Sequence, residues 1–376
     1  MTRGSKAGTP AAIRHAHRVG RLLIAAAVAA TLVVPIVLGG RDALLAALHF
    51  SIQGYFGIFA LIVASWAGRT LKLQLLLRRL GVPASLLRSL GISLATDFAF
   101  ITTPGGVGGY AASVYYLRRA GASASGAAAV TAADQGMDVL FFVVALPLAA
   151  LGLIWSDVPR SLSTVALATS ALIALAALVA WLARGRLASW LGSISFGSRW
   201  PRLARAQHAV AEFLKRMHAD VRLVFAAGPL FLFYIFALTV LQQLTRYSIL
   251  WLALLLLGYP VSFPLIFLLQ VFVLQAASWT GVPSGAGSAE LGLSATLMSW
   301  VPGPALATAL LLWRMATLHA GLIAGAIAIA VLARRHKRPH ANVDAARRRS
   351  DAQRASLSTQ AHEAPGRVIP PHAPPS

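Results

Sequence analysis

Asp97, Asp134, Asp138 and Glu290, four of the eleven acids in this 376-residue chain, fall inside apolar stretches, and Arg314 stands about ten residues into another. A lone charge near the centre of a bilayer costs at least about 2.5–3.5 kcal/mol, so such groups face a partner or a wet cavity. Asp134 and Asp138 are four apart and share one face of a helix. Arg314 reads as the partner of Glu290 or of the two aspartates. One reading of these charges is a set of structural ion pairs that fix helix register. The other is a polar pocket in which Arg314 and half-helix N-termini hold an anionic headgroup while the acids grip an amine or hydroxyl. Arg246, inside another apolar run, either joins them or snorkels to the membrane surface. His319, five residues beyond Arg314, reads as a satisfied intrahelical histidine in preference to a proton relay.

Two glycine-proline loops precede these charges and resemble one another. The first is Thr103-Pro104-Gly105-Gly106-Val107-Gly108-Gly109-Tyr110, and the second is Val282-Pro283-Ser284-Gly285-Ala286-Gly287-Ser288-Ala289-Glu290. Asp134 lies 30 residues after the first proline and Arg314 lies 31 after the second. Duplicated helix-breaking loops in a hydrophobic chain are the pattern of a transporter core, with a binding site near the midplane. Pro104, Gly105, Gly106, Gly108, Pro283, Gly285 and Gly287 are therefore candidates to line that site with backbone. Gly105 with Gly109, and Gly321 with Gly325, also have the four-residue spacing of close helix packing.

Other chemistry has no visible machinery. There is no cysteine, and the ten histidines show no metal-ligand spacing. No nucleotide-phosphate loop or nucleophile elbow is present, so neither cofactor nor covalent catalysis is expected. A net charge of +22 invites a nucleic-acid partner. The bases, however, cluster beside apolar runs, as membrane topology requires, and none is expected.

With 57% hydrophobic and 12% charged residues, the chain is expected to be an all-α, polytopic membrane protein. Runs long enough to span are 22–39, 55–77, 126–154, 161–183, 228–257 and 305–333. The first reads as a retained span and not a cleaved signal. Two further regions, 87–118 and 263–300, are each cut by a Pro-Gly loop and read as re-entrant hairpins. Lysine and arginine clusters assign the cytoplasmic side: the N-terminal tail, a group comprising Arg69, Lys72, Arg78, Arg79 and Arg88, the connector after 183, and Arg334, Arg335, Lys337 and Arg338. The opposite loops hold only Arg41 and Arg160, beside Asp42 and Asp157. This works only if each hairpin enters and leaves on one side. The order is then span, span, hairpin, span, repeated with inverted orientation, with both termini cytoplasmic.

The expected domains are a basic tail over 1–19, a transmembrane domain over 20–333 with halves at about 20–154 and 161–333, and a disordered Pro-rich tail over 334–376. The connector 184–226 mixes Trp190, Phe196, Trp200, Phe213 and Leu214 with eight bases. It reads as an amphipathic helix on anionic lipid headgroups. Self-association into a homo-oligomer stays open.

At these residues the chain resembles the transmembrane region of the lysylphosphatidylglycerol synthase family, the flippase-like part of MprF-type proteins, over about residues 20–333. The family's first loop, P-G-x-x-G-E, is similar to Pro104 to Gly109, with Gly109 in place of the Glu. Its E-R-x-x-D motif is similar to Asp134 to Asp138, with Gln135 in place of the Arg. Its second loop, P-G-G-x-G-x-x-E, is similar to Pro283 to Glu290, with Ser284 in place of a Gly, and its late Tyr-Arg pair is Trp313-Arg314 here. The resemblance implies movement of a phospholipid or lipid-linked group between leaflets of the plasma membrane, here a bacterial inner membrane. Two charged positions are missing from the first repeat, which departs from the pattern for aminoacyl-phosphatidylglycerol. The synthases carry a soluble aminoacyl-transferase domain after the membrane part, and only about 40 residues follow here, so an enzyme is not expected. The competing reading is a non-transporting accessory protein that scaffolds envelope-lipid or polyprenol-glycan synthesis.

Overall fold

A computed structural model describes residues 10–156, 158–193, 212–213, 216–217 and 219–334. The chain divides into two compact units, 1–328 and 329–376, and of the second only 329–334 are described. The helices that build the first are α1 (Pro10–Leu48), α2 (Ile52–Arg79), α3 (Leu86–Thr102), α4 (Val107–Arg119), α5 (Ala124–Gly152), α6 (Arg160–Ser193), α7 (Pro229–Leu256), α8 (Phe263–Ser278), α9 (Ser288–Leu297) and α10 (Gly303–Arg314). One π turn, Met315–His319, carries the last helix onward. No strand occurs among the described residues.

Local signals set several boundaries. Ser51, Ser85 and Ser123 each precede a helix and accept the backbone N–H of the third residue on, which satisfies one of the four donors that every helix start leaves open. α8 and α10 begin with proline in the first turn, where the missing N–H removes no bond.

Five helices are long and apolar enough to cross a membrane: Val28–Leu48, Ile52–Arg79, Ala124–Trp155, Pro229–Leu256 and Gly303–Arg334. The expectation was six. The sixth, 161–183, lies in α6, of which only the apolar stretch Arg160–Ala176 is described well enough to weigh. The first span ends at Leu48, nine residues beyond the expected Gly39. Arg41 and Asp42, expected in a loop, follow a left-handed break at Gly40 and continue in helix. The helix also begins before the expected residue 20, at Pro10. About half of the expected connector 184–226, including 194–211, and nearly all of the C-terminal tail fall outside the described residues.

The regions 87–118 and 263–300 are helix-loop-helix pairs whose arms pack on each other, α3 on α4 and α8 on α9. At about 1.5 Å per residue, the 13 residues of α4 and the 10 of α9 reach only about 20 and 15 Å, short of a hydrocarbon core of about 30 Å. The two Pro-Gly loops touch each other.

Polarity runs inside out. Phe56, Phe59 and Leu71 of α2 are exposed, whereas Ser65, Thr70, Lys72 and Gln74 of the same helix are buried. Water would not tolerate that arrangement, but lipid requires it, since acyl chains solvate the rings and leave polar groups to pair within the protein. α2 and α7 lie against each other through Gly68, where an added Cβ would be 3.0 Å from the Leu238 carbonyl oxygen. Gly325 similarly admits α3: a Cβ there would be 2.5 Å from that of Phe98.

Candidate functional site

Two sets of opposite charges occupy the interior. In the first, Arg69 and Lys72 stand three apart on α2, one helical turn on one face. Arg69 pairs with Asp97 of α3 and lies 3.9 Å from Asp134 of α5. The Lys72 ammonium hydrogen-bonds Asp138 Oδ1 at 3.0 Å. It also lies 2.7 Å from Asp134 Oδ1, as an ion pair whose angle does not make a hydrogen bond. Lys72 is 0% exposed. Asp134 and Asp138, one turn apart on α5, thus share one ammonium and tie α5 to α2.

In the second set, Arg314 donates from Nε to Glu290 Oε1 at 2.5 Å and from Nη2 to Glu290 Oε2 at 3.1 Å. This two-pronged geometry is the strongest form of the pair. Glu290 Oε2 also accepts the N–H of Gly287 at 2.8 Å, where the second loop turns into α9. Gly287 has no side chain to return the bond. The Arg314 guanidinium lies 4.3 Å from the Trp313 ring centroid. Immediately beyond, the π turn lets His319 Nδ1 reach the Arg314 carbonyl oxygen at 3.1 Å, while its buried Nε2 has no hydrogen-bond partner, so the histidine is satisfied on one side only.

The two loops start in one conformation and then part: Val107 turns straight into helix, whereas Ala286 is extended and a further left-handed glycine, Gly287, precedes α9. Gly105 (φ 59°, ψ 11°) and Ser284 (φ 53°, ψ 14°) each follow the proline, and Gly106 and Gly285 come next, also at positive φ. Pro104 and Pro283 start a single 3-10 turn in each. Gly108 donates its N–H to the Thr103 hydroxyl at 3.0 Å. At Gly109, the space that a side chain would need is filled by the Phe100 ring.

Between these sets lies a chamber in two compartments. The smaller, about 230 Å³, is bordered by Arg69, Asp97, Asp138, Gln135 and Gln242. The larger, about 370 Å³, is bordered by Gly105, Gly106, Gly285, Tyr247, Gln270 and Arg314. Phe100, Ile101, Gln243, Arg246 and Thr317 border both.

The sequence-predicted residues are therefore divided. Asp138, Gly105, Gly106, Gly285 and Arg314 reach the chamber wall. Asp134, Glu290, Gly108 and Gly287 stand behind it, and Pro283 borders a separate small crevice. Arg314 meets Glu290, and the aspartates are held by other cations. Arg69 and Lys72, counted as cytoplasmic charges, are instead part of the interior: α2 runs unbroken to Arg79 and turns them inward. A three-residue spacing of bases inside an apolar helix, with unpaired acids elsewhere, was the available signal. The amides Gln242, Gln243 and Gln270, passed over in the sequence, belong to the same polar wall as Gln135, which the sequence marked only as a departure from the family motif.

No curated protein matches the chain. The family profile described as lysylphosphatidylglycerol synthase TM region matches residues 18–325. With an all-helical membrane fold, both loops and the paired interior charges in place, the chain belongs to the lysylphosphatidylglycerol synthase transmembrane-region family.

Proposed function

We propose that the protein moves a phospholipid or lipid-linked group between leaflets, with the polar headgroup passing through the chamber while the acyl chains stay in lipid. The observation that carries this reading is the chamber itself: a charged, amide-rich, half-open recess in a body whose outer surface is apolar. A protein that merely fixed helix register with ion pairs would gain nothing from leaving room between them, whereas a carrier needs polar groups to replace headgroup hydration.

The division of labour follows from which groups border the space. Lys72 with Asp134, and Arg314 with Glu290, are pairs that hold the walls. Asp138, about as exposed as Asp134, is the aspartate of α5 that borders the chamber. The turns at Gly105, Gly106 and Gly285 bring backbone to it with no side chain in the way.

An inverted duplication supports the reading. α2 and α7 are both 28 residues long and begin 177 positions apart, and the Ser65 hydroxyl of α2 donates to the carbonyl of Gln242, also 177 positions on, at 2.9 Å. Residues on a pseudo-twofold axis meet their own equivalents in this way. Likewise α1 packs on α10 as α6 packs on α5. In this arrangement both hairpins are re-entrant, from opposite sides of the plasma membrane.

The test is reconstitution of the pure protein in liposomes with fluorescent phospholipids, comparing leaflet exchange for wild type and Arg314→Ala. Accelerated exchange by wild type supports the carrier. Vesicles that behave as protein-free ones for every lipid tried would favour the scaffold reading.

A further inference from the structure

Resting on the carrier reading for its purpose, we infer that a file of water between α2 and α3 conducts protons from the base-rich end of the bundle to Asp134 and Asp138, so that headgroup movement is coupled to proton movement.

The argument begins with four hydroxyls. Ser89, Ser93 and Thr96 stand at i, i+4 and i+7 of α3 and so line one face of it. They are 0%, 3% and 3% exposed, and α2, which packs on α3, adds Thr70 at 3%. Thr70 lies one turn before Leu73, which shares an apolar cluster with Ile92 of α3. None of the four hydroxyls has a hydrogen-bond partner among the described residues. Small hydroxyl residues also serve to let membrane helices approach, but there the oxygen returns to the carbonyl one turn back. Thr102, Thr103, Thr131 and Thr239 do so in this chain. A buried hydroxyl without such a bond is costly, and water is what satisfies it. Side chains three or four apart on a helix have Cβ atoms about 5–6 Å apart, which is two O–H···O distances of about 2.8 Å, so one water fits between neighbours.

The file joins two places that a proton path needs. Ser89 lies four residues after the cap Ser85, at the helix ends that carry Arg78, Arg79 and Arg88. Thr96 adjoins Asp97, which is about 18 Å along the helix from Ser85. There three carboxylates, Asp97, Asp134 and Asp138, meet two bases, Arg69 and Lys72. Arg246 borders the same compartment, but its side chain is exposed and forms no ion pair with them. Tyr247 of α7 is within electrostatic reach of Asp138, and α4, α6 and α8 add no ionisable residue to the lining. The close set thus has one more acid than bases and can take one proton without depriving any base of its partner. A proton drawn from water at the base-rich end passes from oxygen to oxygen, each relay accepting one and giving up another, and ends as the O–H of one carboxyl of the Asp134 and Asp138 pair. Asp138, which borders the chamber, releases it there and returns to the carboxylate.

The test uses the full chain in sealed, oriented vesicles and has two arms. In the first, infrared spectroscopy follows the carboxyl C=O band after a downward pH jump on one side, with the band assigned by aspartate isotope labelling and by its shift in Asp138→Glu. Wild type should take up a proton from the base-rich side, and Ser93→Ala or Thr96→Val should slow that uptake about tenfold while leaving uptake from the other side unchanged. Thr239→Val, which removes a buried hydroxyl that already has its carbonyl, should change neither. Uptake from the base-rich side that ignores both variants, together with a raised melting temperature as expected for deleting unsatisfied groups from a dry seam, overturns the proposal. In the second arm, leaflet exchange of a fluorescent phospholipid is measured with and without a pH gradient. The gradient should accelerate exchange by wild type, and Ser93→Ala should keep the gradient-free rate while losing the acceleration. Exchange by wild type that is indifferent to the gradient refutes the coupling and leaves the carrier standing, whereas side-specific proton uptake with no exchange of any lipid refutes the carrier and leaves the water file standing.

Discussion

Glu290 receives both prongs of the Arg314 guanidinium and the N–H of Gly287 at once, so one carboxylate joins the last span to the turn that starts α9. Both side chains are buried, and removing either leaves the other charged with nothing to balance it. Arg314→Met or Glu290→Leu alone should cost about 3–5 kcal/mol, and the double variant should recover most of that loss. Thermal unfolding of the four proteins in detergent closes the double-mutant cycle. Additive losses would mean that the pair is not a unit.

Asp134 and Asp138 share Lys72 but differ in what lies on their other side. Asp134 is enclosed by Lys72 and Arg69, and Asp138 opens to the smaller compartment. Asp134→Asn should therefore lower stability, by about 1–3 kcal/mol, with transport falling only as folded protein falls. Asp138→Asn should also lower the melting temperature, because it weakens the hydrogen bond of the buried Lys72 ammonium, and in addition it should slow leaflet exchange per folded molecule. Melting curves and vesicle exchange on the same preparations check both.

Ser284 holds φ at 53°, in the left-handed region, and it is the one non-glycine to do so among the described residues. Its counterpart Gly105 adopts nearly the same angles without that strain. Ser284→Gly should stabilise by about 0.5–1 kcal/mol, read as a higher melting temperature. Gly285→Ala should do the reverse, because its new Cβ would lie 2.6 Å from that of Ala277. A lower melting temperature for Ser284→Gly would mean that the hydroxyl is more useful to the fold than the relaxed backbone.

Gly68 lets α2 and α7 approach until backbone meets backbone. Gly68→Leu should separate the helices, break the Ser65 to Gln242 bond and abolish a single well-folded species, whereas Gly68→Ala should cost about 1–3 kcal/mol. Size-exclusion profiles and melting curves distinguish the two. A leucine tolerated at 68 would deny the close contact on which the pseudo-twofold axis depends.

The loops, the hairpins and five of the six expected spans could be read from apolar run length and glycine-proline punctuation, the first with shifted bounds, because lipid thickness sets helix length and a broken helix must be marked by its breakers. The Arg314 and Glu290 pair was legible for a similar reason: two isolated charges in fatty surroundings have to find each other. Arg69 and Lys72 were not, since counting bases for sidedness treats every lysine and arginine near a span end as a surface charge. Only the pitch of α2 turns these two inward while Arg78 and Arg79 remain at the helix end. Arg41 and Asp42 misled in the opposite way: a charged pair resembles a loop, yet the helix resumes after one left-handed glycine. The glutamines carried no signal, because an amide inside an apolar run is as easily a satisfied core group as a chamber wall.

The account stands on one polar chamber being reached from each side of the membrane in turn, and Thr317, which borders both compartments, reports on it. The natural chain has no cysteine, so Thr317→Cys can be challenged in sealed, oriented vesicles with a membrane-impermeant charged thiol reagent applied to one side or the other, beside the buried control Leu310→Cys. The account predicts modification of the cysteine at 317 from both sides, slowed by a transported lipid, with the control unreactive. A cysteine at 317 that stays as inert as the control from either side, in protein that melts like wild type, would contradict it.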